Sequence, residues 1–152
     1  MDLLESSRRL GALRAFELSC FRRLGELAPR LEPASCARWA SSASLAHAWR
    51  ASLLEGLLPV SAGLPGLSEL TVCREGELVE LLERVMPVRV GTDPLDGREI
   101  AGEVLGELYP RLLREYAGVL ERCEPASDGA VARSVRRAMA DLEVIRAEGL
   151  AS

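Results

Sequence analysis

Apolar residues recur along this chain at intervals of three and four, the period of an α-helix with one buried face. From Leu3 to Ala28 the stripe is Leu10, Leu13, Phe16, Cys20, Leu24 and Leu27. Pro29 and Pro33 end that helix and open the next, because proline lacks an N–H and disfavours helical backbone in the residue before it. A second helix is predicted over Ala34 to Leu58. Its packed face runs through Ala40, Ala43, His47, Leu54 and Leu57, and Pro59 stops it. A third starts at Asp96, a residue suited to an N-cap, and runs through Ile100, Val104, Leu108, Leu112, Val119 and Leu120 to about Cys123. Pro110 falls inside it and should kink or split it. The last helix, capped by Ser127 or Asp128, carries Val131, Val135, Ala138, Leu142 and Ile145 and closes at Gly149.

Between Val60 and Leu95 the pattern breaks. SAGLPGL and VGTDPLDG are turn-forming, and only Leu78, Leu81, Leu82 and Val85 make a short helical stripe. The region reads as a long crossover containing one short helix. No alternating run or hairpin turn predicts a strand, so the fold class is all-α, with residues 1–152 as a single domain. Two helix pairs joined by one long crossover is the connectivity of ferritin-like four-helix bundles.

Composition narrows the function classes. Aromatics are 4% of the 152 residues, so Leu, Ala and Val must fill the core. A net charge of -4 argues against a general nucleic-acid or anionic-membrane binder, and leaves room for a local arginine patch, for example Arg133, Arg136 and Arg137. No apolar stretch approaches the ~20 residues of a membrane span. The start MDLLESSRRL lacks a signal-peptide pattern, so a cytoplasmic protein is expected. Lysine, asparagine and glutamine are absent, a bias that the codon usage of a GC-rich bacterial genome would give. Cys20, Cys36, Cys73 and Cys123 form no CxxC pair and read as reduced, half-buried thiols.

Each long helix also directs a polar, ligand-type residue toward its apolar stripe. Glu17 interrupts the first stripe. His47, the only histidine, shares a face with Arg50 in the second. Glu103 and Glu107 lie near Ile100 and Val104 in the third, and Asp141 lies between Ala138 and Ile145 in the fourth. A buried carboxylate is costly unless it is paired.

The segment LRAFELSCFRRLGELAPRLEPASCARWASSASLAHAWRASL resembles the ferritin-like proteins related to di-iron tRNA hydroxylases. Glu17, Phe21, the Leu27-Ala28-Pro29 closure and His47 carry the resemblance. GEVLGELY, with Glu103 and Tyr109, is similar to the third helix of that family, and MADLEVIRAEG to the last. The resemblance implies a ferritin-like bundle whose metal ligands would be Glu17, His47, Glu103 and Asp141. Two ligand positions are altered: Ser44 stands where the second-helix Glu is expected, and Val144 where the last-helix His is expected. One histidine cannot supply a nitrogen donor to each of two irons.

The expected protein is therefore a degenerate ferritin-like module without a complete di-iron site. It would bind a protein partner or form a homo-oligomer, with no cofactor. His47 is expected to be half-buried and hydrogen-bonded to Glu17, with Arg50 neutralising the remaining charge. The alternative is an atypical mono- or di-metal oxygenase that uses iron or manganese at the same four residues. A third reading is a small-molecule pocket lined by Phe16, Trp49 and Tyr109. A Ser44–His47 hydrolytic pair has no acid partner or nucleophile elbow to support it. Tyr109 and Tyr116 are expected at the core edge, and Trp39 and Trp49 against the crossover.

Overall fold

A computed structural model describes residues 1–59 and 76–151. The fold is all-α. In chain order the helices are α1 (Leu3–Leu27), α2 (Ala34–Glu55), α3 (Glu77–Val85), α4 (Gly97–Glu103), α5 (Tyr109–Arg122) and α6 (Gly129–Leu150). A π-helical turn, Val104–Leu108, joins α4 to α5. The turn-rich sequences SAGLPGL and, in part, the expected crossover lie outside the described residues.

The periodic stripes become the core. Leu10, Leu13, Phe16, Cys20, Leu24 and Leu27 of α1 are all buried, as are Val135, Ala138, Leu142 and Ile145 of α6. Helix α1 lies along α2, α2 against α6, and α6 against α5. In α3, Leu82 and Val85 are buried and Leu78 and Leu81 half-buried, so the short amphipathic stripe faces inward as expected.

Several boundaries and caps differ from the sequence reading. Helix α2 ends at Glu55 on a Gly56 cap rather than continuing to Leu58. The Asp96 carboxylate does cap α4, accepting from the N–H groups of Arg98 and Glu99. Asp128 holds the N-cap position of α6, but its side chain accepts from the Glu124 N–H instead of from the helix. Leu31 and Leu95 are partners in a two-residue parallel bridge between β1 (Leu31–Glu32) and β2 (Leu95–Asp96). Two residues per strand are too short to leave an alternating pattern in the sequence.

Pro110 acts through the turn that precedes it. Its ring cannot donate to the carbonyl of Gly106 and would crowd it in an α-helix. The helix widens instead, and the Tyr109 N–H bonds to the carbonyl of Val104, five residues back. The wider turn leaves Val104, Leu105, Leu108 and Tyr109 all buried. Tyr109 is thereby carried into the interior opposite α2.

Gly149 does not end its helix. An added Cβ there would lie 2.7 Å from Trp39 Nε1 and 2.8 Å from Leu105, so the glycine lets α6 approach both side chains. Trp39, expected against the crossover, donates to the Ile145 carbonyl of α6 at 3.1 Å; crossover residues 60–75 lie outside the described residues. Gly149→Ala should therefore destabilise by ~1–3 kcal/mol through overpacking. Gly118→Ala, where nothing lies within 4 Å of the new methyl, should stabilise by ~0.5–1 kcal/mol through helix propensity. Urea denaturation of the two variants checks the opposite signs.

Candidate functional site: a buried carboxylate–histidine–arginine cluster

Glu17 sits one turn from Leu13 and Cys20 and two turns from Leu24 on the buried face of α1, so the helix period carries it into the interior. His47 and Arg50, three residues apart on α2, meet it there. All three side chains are fully buried. His47 Nδ1 lies 2.5 Å from Glu17 Oε2, and Arg50 Nε donates to Glu17 Oε1 at 2.9 Å. Tyr116 donates its phenol proton to the same Oε1 at 2.5 Å. The other imidazole nitrogen, Nε2, is 3.0 Å from the Tyr109 hydroxyl. Arg50 Nη1 continues the chain to Asp141 Oδ2 on α6, whose side chain is 31% exposed and marks where the cluster reaches solvent.

The protonation states follow from these partners. Burial pushes the Glu17 carboxyl up, but the charges and hydrogen bonds of its neighbours outweigh it and hold the group below its ordinary value. A carboxylate accepting from three donors is kept ionised. Burial lowers the His47 imidazole, against the pull of Glu17, and keeps the ring neutral. Burial raises the Tyr109 phenol well above its ordinary value, so it keeps its proton and donates to Nε2. The remaining ring proton is then on Nδ1 and points at Glu17. Arg50 is raised despite its burial, by the carboxylate it faces, and is a permanent cation.

The expected bonds from His47 and Arg50 to Glu17 are thus present, with His47 buried completely rather than by half. The tyrosines correct the sequence reading. Tyr109 and Tyr116 are fully buried members of the cluster, not core-edge residues. Their seven-residue spacing, two helical turns in line with Leu112 and Val119, was the available signal. Each phenol needs a buried partner, and the carboxylate and imidazole supply them.

Glu103 does not join. It is half-buried on α4, and its charge acts on Arg84. Ser44 is buried, but its hydroxyl donates to the Phe21 carbonyl at 2.8 Å and not to His47. Val144 is 55% exposed, so a histidine at that position would face solvent and not the cluster. Trp49 lies on the outer surface beneath Arg137, and so does not share a cavity with Phe16 and Tyr109. Cys20 and Cys36 are buried and Cys123 is half-buried; Cys73 lies outside the described residues.

A metal fits these residues poorly. Among the described residues no group of three or more His, Cys, Asp or Glu side chains is placed to hold an ion. Both nitrogens of His47 are engaged, and the space between Glu17 and Asp141 holds the Arg50 guanidinium. Its Nη2 is buried without an acceptor among the described residues. That orphan is an N–H donor, which cannot ligate a cation.

No family model matches this chain, and neither does any curated protein or solved structure.

Removing one partner of a buried ion pair strands the other, at a cost of ~3–5 kcal/mol. Glu17→Ala should therefore be severely destabilised. Tyr116→Phe, which deletes one bond to the charged carboxylate, should cost ~1.5–3 kcal/mol. Acid should act in the same direction through two groups. The folded-state pKa values of His47 and Glu17 lie below their ordinary values of 6.5 and 4.5. The unfolded chain then binds protons that the folded one refuses, so stability falls as pH drops below 6.5 and again below 4.5. Urea midpoints measured from pH 8 to pH 4 test this, and His47→Phe should remove the first fall.

Proposed function

We propose that this protein is a degenerate member of the ferritin-like helical proteins. In this reading an internal cation, the Arg50 guanidinium, has replaced metal, and the chain works as a binding or protein-interaction module. One observation carries the proposal. Arg50 bonds Glu17 through Nε and Asp141 through Nη1, and so neutralises carboxylates that would otherwise be metal ligands. The cluster has the composition of a carboxylate metal site, with a fixed positive charge at its centre. The order of α1, α2, the α4–α5 run and α6, with α3 between the two pairs, agrees with a ferritin-like bundle.

The arrangement offers little for catalysis. A general base needs a proton acceptor within reach of a substrate, and the atoms of Glu17 and His47 are spent on one another and on the two tyrosines. Only Asp141 meets solvent, and it is bound to Arg50. What remains is a connected set of buried hydrogen bonds that fixes the relative positions of α1, α2, α5 and α6. Specificity of packing is the role such buried polar networks serve best.

Anaerobic loading with Fe(II) or Mn(II), desalting and elemental analysis tests the reading. Wild type should retain no stoichiometric metal. Arg50→Ala, which unites two carboxylates and an imidazole without the guanidinium, should gain affinity for a divalent ion by at least ~tenfold. Stoichiometric metal in wild type, lost in His47→Ala, would overturn it in favour of a metal-dependent oxygenase.

A further inference from the structure

The buried cluster is closed to a substrate, but an electron tunnels through packed side chains and needs no such opening. Three rings connect the surface to the Glu17 carboxylate. Trp39, 5% exposed, forms part of the wall of a cavity of about 200 Å³ together with Ala101, Leu105 and Gly149. Its ring centroid lies 6.3 Å from that of Tyr109, which is fully buried. The Tyr109 hydroxyl meets Nε2 of His47 at 3.0 Å, and Nδ1 of the same imidazole meets Glu17 at 2.5 Å. The order from the cavity inward is therefore indole, phenol, imidazole, carboxylate.

Each member suits one-electron oxidation coupled to proton transfer. The Trp39 N–H donates to the Ile145 carbonyl at 3.1 Å. A backbone carbonyl accepts that hydrogen bond but is too weak a base to take the proton. An oxidised Trp39 therefore stays a radical cation, a poorly solvated charge in an apolar interior, and draws an electron from its neighbour. Tyr109 is that neighbour. Burial holds its proton in place, so its electron leaves only together with that proton, and the Nε2 lone pair of His47 is positioned to take it. The imidazolium so formed would face the Glu17 carboxylate, which balances its charge. Tyr116 is less suited. Its hydroxyl bonds Glu17 Oε1, which also accepts from Arg50 Nε at 2.9 Å, and a carboxylate held below its ordinary pKa is a weaker base than an imidazole.

We infer that Trp39, Tyr109 and His47 form a one-electron relay, which takes an oxidising equivalent from a small radical at the cavity and holds it on Tyr109. The radical removes one electron from Trp39 and departs as an anion. Tyr109 gives an electron to Trp39 while its O–H bond breaks and the proton moves to Nε2 of His47. The products are a neutral indole, a neutral phenoxyl radical and an imidazolium. The relay requires only these contacts, and it stands apart from the interaction-module reading.

Pulse radiolysis in azide solution, on chelator-treated protein, provides the test. The azidyl radical is small and oxidises indoles selectively, and the chain has two tryptophans and two tyrosines. In a Trp49→Phe background, which removes the exposed indole, the tryptophanyl absorption should decay as the tyrosyl absorption grows, and more slowly in heavy water. Tyr109→Phe, which deletes one hydroxyl, should abolish the tyrosyl signal and leave a persistent Trp39 radical. His47→Gln should slow the transfer by ~100-fold, circular dichroism checking that each variant is folded. The heavy-water comparison needs no change at His47, so it holds even if that variant does not fold. A tryptophanyl radical that never passes to tyrosine overturns the proposal. So does a tyrosyl signal that survives Tyr109→Phe, a transfer indifferent to heavy water, or a folded His47→Gln variant as fast as its background.

Discussion

The ionised carboxylate of Glu17, buried in the middle of an apolar helix face, is the constraint on which the interior depends. A charge there is tolerable only when its lone pairs are filled and its charge is balanced, and each requirement recruits a different helix. His47 and Arg50 come from α2, and Tyr116 comes from α5. Asp141 of α6 meets the outward side of the same arginine, and Tyr109 completes the histidine. Four helices are thus held in register by one connected set of bonds. Leucine and alanine packing alone would allow neighbouring registers at small cost.

The π-helical turn belongs to the same constraint. Without the widening at Val104–Leu108, the helix leading to Pro110 could not keep Leu105, Leu108 and Tyr109 buried together. The phenol of Tyr109 would then not meet Nε2 of His47. Local irregularity in α4–α5 and the protonation state of a histidine on α2 are two ends of one chain of contacts. Gly149 is a further concession to close packing, where α6 draws up to Trp39 and Leu105.

Much of this was legible in the residues. The heptad-like spacing of Leu10, Leu13, Leu24 and their counterparts on α6 follows directly from burial, and period alone finds it. Glu17 and His47 stood out because a polar group in an apolar stripe needs a partner. Tyr109 and Tyr116 were harder to read, since a tyrosine suits both a core edge and a core, and only the π turn decides for Tyr109. The exclusion of Glu103 was not readable either. It sits one residue before the widened turn, and the change of phase there leaves it facing Arg84's field instead of Glu17. Val144 misled for a related reason: the spacing from Asp141 suggests an inward pair, but the buried line of α6 runs through Leu142 and Ile145.

Because the chain has a single histidine, its ring nitrogens can be observed without assignment. The central claim is that His47 is neutral, protonated on Nδ1, and locked between Glu17 and Tyr109. Long-range 15N–1H NMR of the imidazole, recorded from pH 8 to pH 5.5 with and without Fe(II) or Zn(II), tests it most directly. The expected spectrum is one fixed Nδ1–H tautomer, unchanged across the range and unmoved by metal. A ring that titrates near 6.5, or whose Nε2 shifts on adding metal, would contradict the claim and reopen the cluster as a ligand site.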